Sequence, residues 1–164
     1  MLASRWARNY WPDGKCAKAF WSQQKVRPYR QLLADTLDWC APASGERWLD
    51  LCAGPGGKTA LLAAIAREHD LTLEANEVIP TRARLVRNAL RAVPGDVVVH
   101  EEDGRSFGAS HPGAFDRILV DAPCTGLGAL RRRPEARWRK TPADVADLVP
   151  LQVELLSSAL HALA

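Results

Sequence analysis

No two of the four cysteines in this 164-residue sequence form a C-x-x-C pair. Cys16, Cys40, Cys52 and Cys124 are too widely spaced for a zinc ribbon or a secreted disulfide framework, so free thiols in a reducing, cytoplasmic compartment are expected. There is no apolar run long enough to span a bilayer, and Met1 to Arg8 lack the continuous apolar stretch of a signal peptide. Charge imbalance is also small: 22 Lys+Arg against 19 Asp+Glu leave +3, which excludes a strong whole-molecule field but not local basic clusters. His69, His100, His111 and His161 are scattered with no carboxylate or cysteine at metal-ligand spacing, so no metal site is expected. What remains is the length and apolar share of a single globular domain.

Two regions differ in texture. Residues 1–45 form a preamble rich in tryptophan and basic residues, with a helix predicted near Val26 to Cys40. Large rings packing that helix on a sheet are the commoner source of a composition such as Trp6, Trp11, Trp21 and Trp39, with RNA contact as the alternative. From residue 46 the pattern becomes regular. An apolar run at Trp48 to Cys52 meets a glycine cluster, and Thr59 to Arg67 reads as an Ala/Leu helix. Leu71 to Val78 is a second strand, and Pro80 opens a helix through Leu90. Val97 to Val99 and Phe115 to Asp121 read as further strands. Thr141-Pro142-Ala143-Asp144 starts a last helix with an apolar face at Leu148, Leu151, Leu155, Leu156 and Leu160, and Pro150 is expected to kink or split it. Alternating strands and helices imply an α/β fold, a mostly parallel sheet with helices on both faces, and a ligand site beyond the carboxyl ends of the strands.

The run Asp50-Leu51-Cys52-Ala53-Gly54-Pro55-Gly56-Gly57-Lys58-Thr59 falls at the first strand-to-helix turn, where glycines let a ligand approach backbone N–H groups. Three ligand classes use such a turn. A P-loop finds its end in Gly57-Lys58-Thr59 but has Cys52 where its first glycine belongs. Ile118-Leu119-Val120-Asp121 has the form of the strand and acid that help hold magnesium in nucleotide hydrolases, so that class stays open. The dinucleotide fingerprint G-x-G-x-x-G is met at Gly54 and Gly56 and broken at Thr59. Glu77, about 20 residues past the loop, stands where an acid accepts hydrogen bonds from ribose hydroxyls, which a P-loop does not need. A nucleoside without a pyrophosphate needs that acid and tolerates loss of the third glycine; S-adenosylmethionine is such a ligand. Asp103, after the third strand, suits an adenine amino group, and equally suits a solvated turn.

The run Cys52 to Thr59, followed by Asp121-Ala122-Pro123-Cys124-Thr125-Gly126, resembles the RNA 5-methylcytosine methyltransferases of the Sun/NOL1/NOP2 family. Arg131-Arg132-Arg133-Pro134-Glu135-Ala136-Arg137-Trp138 is similar to the same family, especially its bacterial 16S ribosomal RNA enzymes, and the likeness runs from about Arg47 to Ala164. It implies a Rossmann-like class I methyltransferase domain over residues 46–164 that uses S-adenosylmethionine. By the resemblance, Cys52, Ala53, Gly54, Pro55, Gly56, Gly57 and Lys58 embrace the methionine and ribose, Glu77 the ribose hydroxyls, and Asp103 the adenine. Asp121 contacts both cofactor and target cytosine. The family often has Asp where this chain has Glu77, and either acid can accept from a diol.

A cysteine is needed because C5 of cytosine is a poor nucleophile until a thiolate adds at C6, and that thiolate must later leave. The family divides the work between two cysteines. Cys124 matches the one that assists release, while the sequence ends at Leu163-Ala164, before the strand carrying the nucleophile. Weak or absent methyl transfer from this chain alone is therefore expected, with C-terminal strands missing and the edge of the Phe115 to Val120 strand open to self-association. Arg131, Arg132, Arg133, Arg137, Arg139 and Lys140 around Trp138 combine phosphate partners with a ring for base stacking, which points to RNA and, by the resemblance, ribosomal RNA. A solvated basic loop anchored to the core by Trp138 is the plainer reading. A P-loop nucleotide-binding protein and a non-catalytic RNA-binding fragment are the rival functions.

Overall fold

The computed structural model describes Asp35, residues 40–131 and residues 134–164. The body of the predicted N-terminal helix, Cys16, the four preamble tryptophans, Arg132 and Arg133 lie outside those residues. Four parallel strands, β1 (Arg47–Asp50), β2 (Thr72–Asn76), β3 (Val98–His100) and β4 (Arg117–Leu119), make one sheet in the order β3-β2-β1-β4. Between and after them run α1 (Gly57–His69), α2 (Pro80–Leu90), the short α3 (Phe107–Ser110) and α4 (Pro142–Ala162). Single 3₁₀ turns occupy Leu127–Ala129 and Pro134–Trp138. No helix among the described residues is long and apolar enough to cross a membrane.

The two-residue period of β1 builds both layers. Trp48 faces one side and joins Ala63, Ala64, Ala66, Leu73 and Val93 under α1. Leu49 and Leu51 face the other and join Phe107, Phe115, Leu155, Ala159 and Ala162 under α3 and α4. Strands β1 and β2 run in register from Arg47↔Thr72 to Asp50↔Ala75, and β1 and β4 from Trp48↔Arg117 to Asp50↔Leu119. Connections from β1 pass to one side through β2 and β3 and return to the other at β4. That reversal opens a crevice beyond the carboxyl ends of β1 and β4, where open α/β sheets bind ligands.

Three expectations need adjustment. The strands are shorter than the apolar runs, because pairing stops where β2 turns at Glu77 and β4 leaves the ladder at Val120. Helix α4 is not split by Pro150, which sits exposed within one 21-residue helix. Its start is fixed by a capping box between Thr141 and Asp144, and its far half is held by buried Leu155, Ser158, Ala159 and Ala162, so one lost backbone bond is tolerated. The edge of β4 is partly covered as well: Phe115 donates to the Ala162 carbonyl (3.0 Å) and accepts from Ala164 N–H (2.8 Å), a parallel bridge with Leu163.

Candidate functional site

The glycine loop leaves β1 as Leu51 and Cys52 and is pinned at once, Ala53 N–H donating to the Asn76 carbonyl (3.0 Å) and Gly56 N–H to the Ala53 carbonyl (2.8 Å). The Gly54-Pro55 peptide is cis. Glycine is required at two points. A side chain at Gly54 would lie 2.2 Å from Glu77 Oε2, and Gly56, at φ +104°, would place one 2.8 Å from Val86 Cα, where α1 starts against α2. Gly57 differs: a side chain there would meet nothing within 4 Å, so the N-terminus of α1 opens onto free space.

Glu77 is 4% exposed and braces this loop. Its Oε2 accepts from Gly54 N–H (3.0 Å), its Oε1 accepts from Ile79 N–H (3.1 Å), and Arg82 lies 3.6 Å from it while donating to the Gly54 carbonyl (2.6 Å). A carboxylate has about four acceptor directions, so these contacts leave capacity for a further donor. Across the crevice, the Lys58 ammonium at the start of α1 forms an ion pair with Asp121 just past β4. Asp103, after β3, is held by Arg105 through Nε (3.0 Å to each oxygen) and Nη2 (2.6 Å), which lowers its carboxyl below the ordinary aspartate value. The loop, Glu77, Lys58 and Asp121 thus converge at the sheet's reversal, with Asp103 further along the same carboxyl edge.

Cys52 is half-buried, and burial, reinforced by the Asp50, Glu77 and Asp121 carboxylates, pushes its thiol up to about 11. It stays a neutral thiol near pH 7 and is no nucleophile. Cys124 is exposed, in a segment tied to α4 by Gln152 Nε2 donating to the Pro123 carbonyl (2.7 Å). Arg131, Arg137, Arg139 and Lys140 are exposed. Trp138 is 79% exposed with the Arg137 guanidinium 4.5 Å over its ring, so it does not anchor this segment in the core.

One site residue is not evident from the sequence pattern. Asp50 is 1% exposed, its Oδ2 accepting from the Thr59 hydroxyl (2.7 Å) while Oδ1 has no hydrogen-bond partner among the described residues. The available signal was an acid closing an apolar strand directly before the glycine loop. Burial raises the Asp50 carboxyl above its ordinary value despite the Thr59 bond. A group with a raised folded pKa gives full stability below its unfolded value and loses it as pH rises through the folded one. Urea midpoints measured between about pH 4 and 8 are therefore expected to carry a falling component that Asp50→Asn removes. An unchanged slope in that variant would refute the assignment. The histidines also need correction: His100 and His111, 11 positions apart, meet Glu102 in space.

A parallel sheet ordered β3-β2-β1-β4 with helices on both faces and a glycine loop after its first strand is a Rossmann-like methyltransferase fold. Residues 37–164 match the family 16S rRNA methyltransferase RsmB/F, and the chain belongs to that family. It is 57% identical over 132 residues to a Mycobacterium tuberculosis (strain H37Rv) protein named as methyltransferase Rv1407, covering 79% of this chain and 28% of that protein. Ribosomal RNA small subunit methyltransferase B of Pectobacterium atrosepticum is 39% identical over 122 residues, covering 73% of this chain and 28% of the enzyme. The crystal structure of NSun6 from Pyrococcus horikoshii with SFG superposes with a TM-score of 0.66 at 26% identity, over 76% of this chain and 31% of that one. The chain thus spans about 28% of the length of the curated relatives it matches. The family resemblance drawn from the glycine loop and the Asp121 to Gly126 run is borne out.

Proposed function

We propose that this chain forms the S-adenosylmethionine-binding part of an RNA cytosine-C5 methyltransferase acting on ribosomal RNA in the cytoplasm. The observation that carries the reading is the glycine loop braced by Glu77 and facing the Lys58–Asp121 pair at the reversal of strand order. The donor set suits that cofactor. The open N–H groups of Gly57 and Lys58 at the start of α1, with the Lys58 ammonium, suit its carboxylate. Asp121 suits its cationic centre, Glu77 the ribose hydroxyls, and Asp103 the adenine amino group. The likeness to ribosomal RNA small subunit methyltransferase B supports the activity and substrate, and the SFG complex, which holds an analogue of the same cofactor, supports the ligand.

When bound, the cofactor supplies the electrophilic methyl group. The residues of this chain position and orient. Asp121, just past β4, pairs with Lys58 at the loop and stands three positions before Cys124, so one carboxylate is available to the cofactor and to a cytosine. Cys124 assists departure of the attacking thiolate from C6. Arg131, Arg132, Arg133, Arg137, Arg139 and Lys140 hold phosphates, and the Trp138 ring takes a base. The nucleotide-hydrolase alternative loses ground because Thr59, which would have to reach magnesium, is fully buried and donates to Asp50.

Calorimetric titration of the full chain with S-adenosylmethionine, beside ATP with magnesium, tests the proposal. Saturable binding of S-adenosylmethionine alone is expected. Binding of ATP alone would restore the hydrolase reading, and binding of neither would remove the cofactor pocket from this chain.

A further inference from the structure

We propose that His100, Glu102 and His111 form a binding site for a zinc-like divalent ion, separate from the methyl-transfer site. A ring nitrogen of each histidine and a carboxylate oxygen of Glu102 lie within 4.8 Å of one another. His100 Nδ1 is 3.5 Å from Glu102 Oε1, and the His111 ring stands beside the same carboxylate, its Nδ1 3.9 Å from Oε2. Ligand atoms around tetrahedral zinc stand about 3.3 Å apart, so only a small side-chain adjustment closes the set. Two imidazoles and one carboxylate are a ligand set that zinc accepts with water in the fourth position, whereas magnesium and calcium prefer all-oxygen sites.

The surroundings are those of a supported site. His100 Nε2 is 2.6 Å from Glu74 Oε2 on the neighbouring strand β2. With that nitrogen donating to Glu74, Nδ1 keeps its lone pair and faces a carboxylate oxygen: two acceptors confront each other across a gap that a cation would fill. A carboxylate behind a ligating imidazole is the usual outer contact of a zinc histidine. Glu102 is held through its backbone, donating to Asn76 Oδ1 (3.0 Å) and accepting from Asn76 Nδ2 (3.1 Å), with Asn76 1% exposed. His111 stacks on buried Phe107 at 4.1 Å and 14°, and with its Nδ1 donating to the Phe107 carbonyl (3.1 Å) its Nε2 keeps the lone pair for an ion. All three ligands are partly exposed, so an ion has access. The site would clip the end of β3 to the end of α3 and close the segment that carries Asp103.

The same atoms permit one rival, a proton-bridged His100 cation between Glu74 and Glu102, which has no use for His111. The test is zinc titration of the chelator-stripped full chain against a chromophoric competitor, with cobalt absorption as a second readout. One equivalent of zinc is expected, with a thermal midpoint that rises with zinc concentration. His111→Gln should weaken zinc binding by about 10-fold or more, and Glu74→Gln, which removes only the outer carboxylate, by about 10- to 100-fold. Glu102→Gln, a change at a partly exposed side chain, repeats the test should a histidine variant fail to fold. Absence of stoichiometric zinc, zinc affinity indifferent to His111 and Glu102, or a thiolate-to-cobalt band pointing to Cys52 or Cys124 would each overturn the proposal.

Discussion

Glu77→Ala is expected to remove measurable S-adenosylmethionine binding and to lower the stability of the chain by about 2–3 kcal/mol. The carboxylate is buried and takes two backbone N–H groups, one from Gly54 in the glycine loop and one from Ile79 at the entry to α2. Its loss leaves both donors without their acceptor and frees Arg82, which also holds the Gly54 carbonyl. Arg82 is 42% exposed, so water softens that part of the loss, and the main cost is the two N–H groups. The binding effect should exceed the stability effect, because a loop that is no longer pinned must be ordered by the ligand itself. Urea unfolding and calorimetry on the same preparations separate the two. Arg82→Ala keeps the carboxylate and both N–H bonds and should cost less in each assay. Near-normal affinity in Glu77→Ala, measured where the variant is folded, would defeat both the brace and the ribose role assigned to this residue.

Gly108→Ala is expected to be the most destabilising single methyl addition in the described part of the chain, at about 3 kcal/mol or more. Helix α3 crosses α4 so closely that a side chain at Gly108 would lie 2.0 Å from the Ser158 carbonyl oxygen and 3.0 Å from His161 Cβ. The nearest neighbour in that collision, the Ser158 carbonyl, is backbone and cannot rotate away. Against a total stability of about 5–15 kcal/mol, typical of a domain, the loss is large. Ser158→Ala probes the same contact without overpacking it: Ser158 Oγ accepts from Gly108 N–H at 2.8 Å in a buried setting, and leaving that N–H alone should cost about 1–2 kcal/mol. Denaturant midpoints of both variants check the ordering. A Gly108→Ala protein as stable as the parent would mean that α4 does not approach α3 as described.

The strands and helices were legible because their signals are local. Helix α2 spans Pro80–Leu90 as read from the sequence, since a proline at its first position fixes the start. Helix α1 begins two residues earlier and ends two later than the Ala/Leu run suggests, extended by Gly57 and Lys58 at one end and Glu68 and His69 at the other. Pro150 does not split its helix because a single proline is a local cost, whereas the helix around it is held by a capping box and by packing on distant α3. Trp138 is the converse case: its composition allowed either a core anchor or an exposed platform, and only the fold placed the ring in solvent.

The alternation of strand and helix, the glycine loop, the acids at strand ends and the family to which they belong are legible in the chain alone. Each is written in residues near one another in the chain. It takes the folded chain to turn Glu77 inward as a brace for the loop, to bury Asp50 with one oxygen left over, and to bring Lys58 to Asp121 across 63 positions. Folding likewise brings together Glu74, His100, Glu102 and His111, from β2, β3 and the end of α3. The reason is physical: spacing along the chain sets local conformation, whereas the burial of a carboxylate and the distance between two ligands depend on how strands pair and which helices cover them.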